Sequence, residues 1–431
     1  MLYTEAAQFL ERGQTGSIKN IIYSKYENKK KNPGLKADPR QVVGLVTSVL
    51  KYKAFLKDVI KASGILKTEK KHLSEPVALL MVYDLLMSKS GRLNCGKCQQ
   101  KDAILRHKVR LKGEFVKFKV KHKITSLETL AQGDETPVRW IRVNTIRSSD
   151  KHVREQLKHL TVVSDISEVK AGTLFVDPYV RHLYGVHPSE PITSTEIYKS
   201  GYIIIQDRAS CFPAEILNPK DGDKIIDACA APGNKTSHLA ALIGNARGSV
   251  TAFERDTRRG EVLKKMIHTA GADKCVNINV QDFTESDPMQ YSDVTGMVVD
   301  PSCSGSGIFG RGFEEQEEQS ADKSRLDKLA EFQYKIMLHA LSFPNVKRVV
   351  YSTCSIHDEE NEQVVRRLLE TDQVKKAGWN LTNALPKWPR RGHAGPFESK
   401  RSSETLAKYC VRSLPKTDGG IGFFAACFQK S

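Results

Sequence analysis

From residue 221 to the end of the chain, short apolar runs alternate with longer segments whose apolar residues recur at helical spacing. The short runs predict strands and the longer segments predict amphipathic helices. Such alternation is typical of a mostly parallel sheet with helices on both faces, so we expect a doubly wound, Rossmann-like α/β fold. The predicted strands cover residues 224–229, 250–254, 276–280, 296–300, 348–352 and 421–428, and the predicted helices cover residues 234–243, 258–270, 326–342 and 359–370. Residues 305–324 interrupt the alternation with few apolar positions and predict a loop.

The first 206 residues follow two other patterns. Helical periodicity over residues 42–60, 76–87 and 104–120 predicts a mainly helical domain at residues 1–124. Strand patterns and one short helix predict a small α/β (RRM-like) module at residues 125–206. The strands of this module are predicted at residues 139–143, 173–176 and 202–205, and the helix at residues 153–160. The doubly wound domain then covers residues 207–431.

The charge of the chain is concentrated in the helical domain. The net charge is +17, and residues 1–124 hold 27 Lys and Arg against 10 Asp and Glu. This asymmetry favours a polyanionic partner, most simply a nucleic acid, over an anionic membrane or solubility alone. The sequence has no apolar run long enough for a transmembrane helix and no secretory signal, so we expect no membrane partner. Nine cysteines without such a signal predict reduced thiols in the cytosol or nucleus.

The turn after the first strand of the doubly wound domain is rich in small residues. It reads Asp-Ala-Cys-Ala-Ala-Pro-Gly-Asn-Lys-Thr at residues 227–236 and leads into a helix. Its single glycine does not match the dinucleotide fingerprint, and it lacks the Gly-Lys-Thr of a phosphate loop. An anionic ligand without a pyrophosphate, such as S-adenosylmethionine with its carboxylate, fits a helix N-terminus of this kind.

Two carboxylates follow the next two strands. Glu254 ends the second strand, where an acidic residue commonly accepts hydrogen bonds from ribose hydroxyls. Asp282 follows the third strand, where it could bind an adenine amino group. Because ligands of open α/β sheets bind beyond the carboxyl ends of the strands, the two residues strengthen the prediction of an adenosyl cofactor.

Two cysteines lie at the ends of the fourth and fifth strands. Cys303 follows Asp300 by three residues, and Cys354 lies in Tyr-Ser-Thr-Cys-Ser. A thiol beside a methyl donor suits methylation of carbon 5 of a pyrimidine. The thiolate adds to carbon 6, carbon 5 becomes nucleophilic enough to accept the methyl group, and loss of the carbon-5 proton then frees the thiol. Asp300 could contact the cytosine edge and favour protonation of ring nitrogen 3.

The other cysteines have simpler interpretations. Cys95 and Cys98 have metal-ligand spacing, but no second pair of this spacing accompanies them, so we expect no metal site. A cysteine protease is not favoured either, since no histidine stands in a suggestive position beside Cys354. We expect the remaining four thiols outside the crevice to be packing residues: Cys211, Cys275, Cys410 and Cys427.

These motifs, in this order, resemble the RsmB/NOP/Sun family of RNA cytosine-5 methyltransferases. Arg142–Thr145, Gln206–Ser210 and Gly422–Ala425 fit the same family, and the resemblance covers residues 137–430. The basic N-terminal region and the residues 234–241 are most similar to the fifth NOP/Sun subfamily. That resemblance implies methylation of large-subunit (28S) ribosomal RNA in the nucleus, in particular the nucleolus, with pre-ribosomal particles as further partners.

The resemblance implies roles for individual residues. Cys354 corresponds to the nucleophile, Cys303 to the thiol that assists release of the methylated RNA, and Asp300 to a contact with both base and cofactor. Glu254 replaces a ribose-binding residue that is usually Asp, and Arg259 is expected beside it. Ser302 replaces a second proline of the usual motif. The residues implied to wrap the methionine end of the cofactor are Cys229, Ala230, Ala231, Pro232, Gly233, Asn234 and Lys235.

Other functions stay open at this point. The same chemistry could act on tRNA or another RNA, or the chain could be a catalytically silent ribosome-assembly factor. A small-molecule methyltransferase is a further alternative, which the basic region argues against. In each RNA case the target cytosine must be single-stranded or flipped out, because a paired base cannot present carbon 6 to a thiol.

Overall fold

The computed structural model describes residues 1–10, 18–27, 35–88, 90–121, 137–244, 246–308, 319–397 and 403–430. It divides into two units, residues 1–135 and 136–431. None of the described helices combines the length and apolar character needed to cross a membrane.

Helices are the regular elements of the first unit in its described part. Its helices bury their apolar faces in one common core. Asp38 begins one of them by accepting a hydrogen bond from the Arg40 backbone N–H at 2.8 Å, and Pro39 occupies the first helical position. The helices are Leu2–Ala7, Ile18–Glu27, Pro39–Lys51, Lys53–Ser63, Ile65–Thr68, Glu75–Leu86, Gln99–Arg106 and Lys108–Lys121.

Two of the predicted helices are each broken in two. The helix predicted over residues 42–60 ends at Tyr52, whose backbone leaves the helical region with φ −116° and ψ 14° and whose ring stacks on Tyr83. The helix predicted over residues 104–120 is interrupted at His107, whose imidazole lies 3.3 Å from the Glu69 carboxylate. Periodicity alone missed both breaks because the helices on either side bury residues in the same core.

The second unit begins with a five-stranded sheet. Its order is β2-β3-β4-β1-β5, and all neighbours are antiparallel except β2 and β3. β2 and β4 were not predicted, because β2 has only three residues and β4 is short and fully buried, so that neither shows a clear alternation. Whether this module is RRM-like stays a prediction. The strands are β1 Arg139–Val143, β2 Thr161–Val163, β3 Thr173–Val176, β4 Leu183–Val186 and β5 Ile203–Ile205, and the helices are Asp150–Gln156 and Glu196–Lys199.

The larger sheet confirms the predicted α/β fold. Strands β10, β9, β6, β7 and β8 are parallel in that order, and β13 joins the β10 edge antiparallel together with β11 and β12. The strands are β6 Ile225–Asp227, β7 Val250–Phe253, β8 Val276–Asn279, β9 Gly296–Val299, β10 Arg348–Thr353, β11 Trp379–Thr382, β12 Val411–Ser413 and β13 Phe423–Lys430. The helices are Arg208–Leu217, Asn234–Leu242, Thr257–Ala270, Gln319–Leu341, Glu362–Glu370, Asp372–Lys376 and Ser403–Tyr409.

Two predicted elements of this sheet domain need correction. The loop predicted over residues 305–324 is too long, since a helix begins at Gln319, and residues 309–318 lie outside the described residues. The helix predicted from residue 359 begins as a 3-10 turn at Asp358–Glu360, and the α-helix starts only after Asn361. Apolar clusters cover both faces of the sheet. Because β6 to β10 are parallel, their carboxyl ends share one edge of the sheet. The predicted site residues come directly after these strand ends.

Candidate active site

The turn after β6 is fixed from within. The Thr236 hydroxyl donates to Asp227 Oδ2 at 2.7 Å, so the helix Asn234–Leu242 is tied to the strand end. Gly233 has a φ of 112°, and a Cβ there would come within 3.0 Å of the Leu263 and Met266 side chains. The glycine thus lets the turn approach the helix behind it.

Asp227 is fully buried, and burial raises the pKa of its carboxyl to about 6. Its Oδ1 is buried and accepts no hydrogen bond from the described residues. Sequence reasoning used Asp227 only as the start of the turn. Its burial and its bond to Thr236 show that it organises the turn.

The backbone of residues 229–232 is held on two sides. The Ala230 N–H donates to the Phe253 carbonyl at 2.8 Å, and the Ala231 carbonyl accepts from Arg259 Nη2 at 2.7 Å. The peptide bond between Ala231 and Pro232 is cis. Burial, with the nearby Asp227 carboxylate, raises the pKa of Cys229, so this thiol stays protonated.

Glu254 and Arg259 lie side by side at the end of β7. Glu254 Oε2 is 3.5 Å from Arg259 Nη1, and Glu254 Oε1 accepts the Asp256 N–H at 2.9 Å. The Glu254 carboxylate is almost completely buried. Asp282 is held differently: its Oδ1 accepts from the N–H and hydroxyl of Thr284 at 2.9 and 2.7 Å. None of the hydrogen bonds or ion pairs of the described residues joins Asp282 to Glu254.

Asp300 and Lys235 form an ion pair at the centre of the sheet edge. Lys235 Nζ lies 2.8 Å from Asp300 Oδ2 and 3.2 Å from the Ser210 hydroxyl, and the Ser352 hydroxyl donates to Asp300 Oδ1 at 2.6 Å. Burial alone would lower the pKa of Lys235, but the Asp300 carboxylate outweighs this effect and raises it. The lysine is therefore a cation across the physiological pH range. Sequence reasoning expected Lys235 at the cofactor but missed its contact with Asp300.

The two predicted thiols meet at the ends of β9 and β10. Cys303 Sγ lies 3.0 Å from Cys354 Sγ, and no disulfide joins them. The contact with Cys354, followed by burial, raises the pKa of Cys303 well above its usual range. At neutral pH Cys303 is thus a thiol that can donate to the sulfur of Cys354.

Two glycines clamp the loop after Cys303. The Gly307 N–H donates to the Cys354 carbonyl at 3.0 Å, and the Gly422 N–H donates to the Gly307 carbonyl at 2.9 Å. A Cβ on Gly307 would lie 2.2 Å from the Gly422 carbonyl oxygen, which forbids any side chain there. The clamp explains why Gly422–Ala425, far along the sequence, belongs with the cysteine motifs.

Sequence reasoning singled out Arg142–Thr145 without giving it a role. Arg142 is buried and donates to Gln206 Oε1 at 2.8 Å and to the Ser237 hydroxyl at 2.9 Å. Burial lowers its pKa to about 10. The Asn144 amide donates to the Ala270 carbonyl at 2.8 Å. The motif thus ties β1 to the helices that follow β6 and β7.

Among the described residues, one group of side chains lies close enough together to bind a metal ion: Asp358, Glu362 and His393. Arg412 already compensates these carboxylates, since its Nη2 lies 2.6 Å from Asp358 Oδ1 and its Nε donates to Glu362 Oε1 at 2.7 Å. The group is therefore an ion-pair cluster with its own cation. Cys95 and Cys98 lie outside any such group of three ligands in the described part of the chain. The four thiols predicted to be packing residues are fully buried: Cys211, Cys275, Cys410 and Cys427.

Two family models match the chain. Residues 214–429 match 16S rRNA methyltransferase RsmB/F, and residues 40–130 match the N-terminal domain of NOL1/NOP2/Sun domain family member 5. A solved structure of a methyltransferase homologue from Pyrococcus horikoshii shares the fold, with a TM-score of 0.55 and 22% identity over 85% of this chain and 99% of that one.

Curated relatives are similar over most of their length. The 25S rRNA (cytosine-C(5))-methyltransferase rcm1 of Schizosaccharomyces pombe is 42% identical over 98% of this chain and 90% of its own. The 28S rRNA (cytosine-C(5))-methyltransferase of Mus musculus is 35% identical over 100% of this chain and 91% of its own. The family resemblance predicted from the motifs is confirmed. The chain belongs to the RsmB/F and NOL1/NOP2/Sun family of S-adenosylmethionine-dependent rRNA cytosine-C5 methyltransferases.

Proposed function

We propose that this protein methylates carbon 5 of one cytosine in large-subunit (28S-type) ribosomal RNA, with Cys354 as the nucleophile. The observation that carries the proposal is the contact of Cys354 Sγ with Cys303 Sγ at 3.0 Å, beside the ion pair of Asp300 with Lys235. The 25S and 28S activities in the names of the two relatives support the choice of RNA.

The residues at the ends of β6 and β7 fit S-adenosylmethionine. The helix N-terminus at Asn234 offers backbone N–H groups to a carboxylate, and the buried Glu254 offers oxygens to ribose hydroxyls. The unpartnered Asp227 Oδ1 lies at the same turn. Residues 229–235, Glu254, Arg259, Asp282 and Asp300 would hold the cofactor. When bound, it supplies an electrophilic methyl group for carbon 5.

The side chains at the site have separate roles in the reaction. As the Cys354 sulfur bonds to carbon 6 of the cytosine, the thiol proton passes to ring nitrogen 3, where Asp300 accepts a hydrogen bond from it. Lys235 keeps Asp300 in place and balances its charge. After methylation, loss of the carbon-5 proton restores the carbon 5–carbon 6 double bond and returns the bonding electrons to the Cys354 sulfur. Cys303 assists this release.

The RNA is held by a different part of the chain. Residues 1–124 carry the whole charge excess and supply phosphate contacts that do not depend on sequence. Eight of their Lys and Arg residues lie on Gln99–Arg106 and Lys108–Lys121, the two helices that end the described part of the first unit. The target cytosine is single-stranded or flipped out. Such a substrate is made in the nucleolus, where pre-ribosomal particles would be the partners.

A transfer assay with the full chain tests the proposal. Large-subunit rRNA from cells lacking this gene is incubated with the protein and labelled S-adenosylmethionine, and 5-methylcytosine is mapped by bisulfite sequencing. Cys354→Ala should abolish both turnover and the covalent RNA adduct, whereas Cys303→Ala should let the adduct accumulate. Cys98→Ala, which removes a thiol of the first unit, is the matched control and should behave as wild type.

The outcomes separate the alternatives. One new site in large-subunit rRNA supports the proposal in full. Methylation of tRNA alone would retain the chemistry and overturn the substrate. An adduct that survives Cys354→Ala would overturn the nucleophile, and binding of RNA and pre-ribosomal particles without any methyl transfer would establish a silent assembly factor.

A further inference from the structure

A buried carboxylate lies behind the loop that carries Cys303. Glu360 is completely buried, and its Oε1 accepts the backbone N–H of Ser304 and the Nε2 amide of Gln333, both at 2.9 Å. The same Gln333 amide donates to the Ser302 carbonyl at 3.1 Å. Glu360 and Gln333 thus hold the residues immediately before and after Cys303.

Tyr351 of β10 also fixes the position of Glu360 and Gln333. The single proton of the Tyr351 hydroxyl is shared between the Glu360 backbone carbonyl and Gln333 Oε1, the latter at 3.2 Å, so β10 holds the 3-10 turn and the helix Gln319–Leu341 together at Glu360 and Gln333. Ser302 occupies the place of a proline in the related motif. The hydrogen bond to its carbonyl restrains the backbone that the missing proline ring would have stiffened.

The charge of Glu360 has no cation to balance it. No Lys, Arg or His among the described residues lies within ion-pair distance, and Oε2 is buried without a hydrogen-bond partner. An uncompensated buried carboxylate is costly, and a glutamine would accept the same two hydrogen bonds at lower cost. The carboxylate thus occupies this position at a cost to stability, which points to a role in placing Cys303.

We propose that Glu360 is a positioning residue that holds Cys303 against Cys354 while the methylated RNA is released. This inference rests on the proposed function, because it assigns a purpose to the release thiol. Four charged or titratable groups face Cys303 from the packed elements: Cys354, Asp300, Glu360 and Tyr351. The contact with Cys354 and burial contribute most to its raised pKa, and the carboxylates of Asp300 and Glu360 act in the same direction.

Cys303 is the proton donor in the release step. A hydroxide or buffer base from solvent takes the carbon-5 proton, and the electrons of that bond restore the carbon 5–carbon 6 double bond. The carbon 6–sulfur bond breaks, and its electron pair returns to Cys354. Cys303 gives its proton to that sulfur, ring nitrogen 3 loses its proton to solvent, and solvent then reprotonates the Cys303 thiolate.

The test compares Glu360→Gln and Glu360→Ala with wild type, and uses Glu359→Gln as a matched control. Glu359→Gln neutralises the neighbouring, half-buried carboxylate. Glu360→Gln keeps an acceptor for Ser304 and Gln333 but removes the charge, whereas Glu360→Ala removes both. Each protein is mixed with large-subunit rRNA and labelled S-adenosylmethionine, and denaturing gels follow adduct and released product over time.

We expect methyl transfer in the first turnover to stay within about twofold of wild type. Release should slow about tenfold in Glu360→Ala, which leaves the Ser304 N–H and the Gln333 amide without their acceptor, and less in Glu360→Gln, which keeps both hydrogen bonds, so that adduct accumulates. In a Cys354→Ser background, Glu360→Gln should lower the pH at which Cys303 is half-alkylated, because the Glu360 carboxylate raises the pKa of this thiol. Glu359→Gln should change neither measurement.

Opposite results overturn the inference. Release at the wild-type rate with an unchanged alkylation profile would remove Glu360 from the reaction, and equal losses of transfer, release and cofactor binding would reduce it to a structural residue. If both variants fail to fold, Gln333→Met removes one donor to Glu360 and must still slow release more than transfer. Accumulation of adduct in Cys303→Ala but not in the Glu360 variants refutes this inference alone, whereas no adduct in Cys303→Ala refutes the proposed function.

Discussion

The two ends of the crevice are held in different ways. At the cofactor end, Asp227 and Glu254 are bound by Thr236 and by the Asp256 backbone, and both carboxylates are buried. At the thiol end, Cys303 and Cys354 are half-buried and hydrogen-bonded to each other. The first arrangement is preorganised for a ligand that arrives complete. The second can exchange its partners when a base is inserted, as a covalent reaction requires.

A selective oxidant gives the largest expected difference between the two ends. Diamide should convert the Cys303 and Cys354 thiols into a disulfide, itself being reduced to the hydrazine, because the two sulfurs are 3.0 Å apart. Methyl transfer should fall at least about 100-fold, since the thiolate nucleophile is consumed, and dithiothreitol should restore it. Cofactor affinity, measured by calorimetry, should stay unchanged.

A Cys303→Ser variant is the control for this experiment. It cannot form the disulfide, so diamide should leave its adduct formation intact. Loss of adduct formation in that variant would show that diamide acts at another thiol, and the 3.0 Å contact would lose its support.

Breaking the ion pair of Lys235 with Asp300, which lies between the two ends, should give the next largest effect on methyl transfer. Lys235→Met leaves Asp300 with only the Ser352 hydroxyl as a hydrogen-bond donor among the described residues. We expect methyl transfer to fall roughly 100-fold, the effect of removing one partner from a partly buried pair. The control Lys265→Met removes an exposed lysine of the helix Thr257–Ala270. Single-turnover rates at saturating cofactor measure the effect, and a loss confined to cofactor affinity would contradict a role at the thiol end.

The unfolding free energy should depend on pH through Asp227 at the cofactor end. The pKa of Asp227 is about 6 in the folded protein, above the ordinary value near 4 of an unfolded chain. The folded state therefore holds its proton more tightly, and Asp227 lowers the unfolding free energy as pH rises from about 4 to about 6, by about 2–3 kcal/mol. Above pH 6 this contribution is constant.

The Asp227→Asn variant measures the contribution of Asp227 separately, because it removes the titrating carboxyl group. The amide oxygen can still accept from Thr236, so relative to wild type the variant should gain stability as pH rises from 4.5 to 7. The difference between the two proteins is needed because Asp207, with a pKa of about 6, and His238, with a pKa of about 4, also titrate, in opposite senses. Urea unfolding followed by tryptophan fluorescence reports on this unit alone, since all three tryptophans lie in it: Trp140, Trp379 and Trp388. Parallel pH curves for the two proteins would refute the assignment.

The sequence predicted the cofactor end better than the surroundings of the thiols. The turn after β6 and the carboxylate after β7 follow from local pattern, because each lies where a buried strand meets a helix. The contact of Cys303 with Cys354 also follows, since the carboxyl ends of adjacent parallel strands share one edge. Glu360 could not be found in this way, because its partners Ser304 and Gln333 are 56 and 27 residues distant in the chain.

The same distinction applies to the fold. Long amphipathic segments and buried parallel strands were predicted within a few residues of their bounds, because their periodicity is sustained. The breaks at Tyr52 and His107 were missed, since they depend on contacts with Tyr83 and Glu69 that leave no trace in the local pattern. β11 and β12 were missed because each is short and acquires strand geometry only by pairing with β13.

The smallest expected effect tests whether the cofactor end only binds. Glu254→Gln replaces a charged acceptor of ribose hydroxyls by a neutral one while the Asp256 N–H keeps its acceptor. The dissociation constant for S-adenosylmethionine should rise about tenfold, or about 1.4 kcal/mol, as expected when a hydrogen bond loses its charge. Glu261→Gln, which neutralises an exposed carboxylate on the following helix, should leave the constant unchanged. At saturating cofactor, Glu254→Gln should form and release the RNA adduct at wild-type rates; a lower rate there, with the affinity unchanged, would mean that the two ends do not act separately.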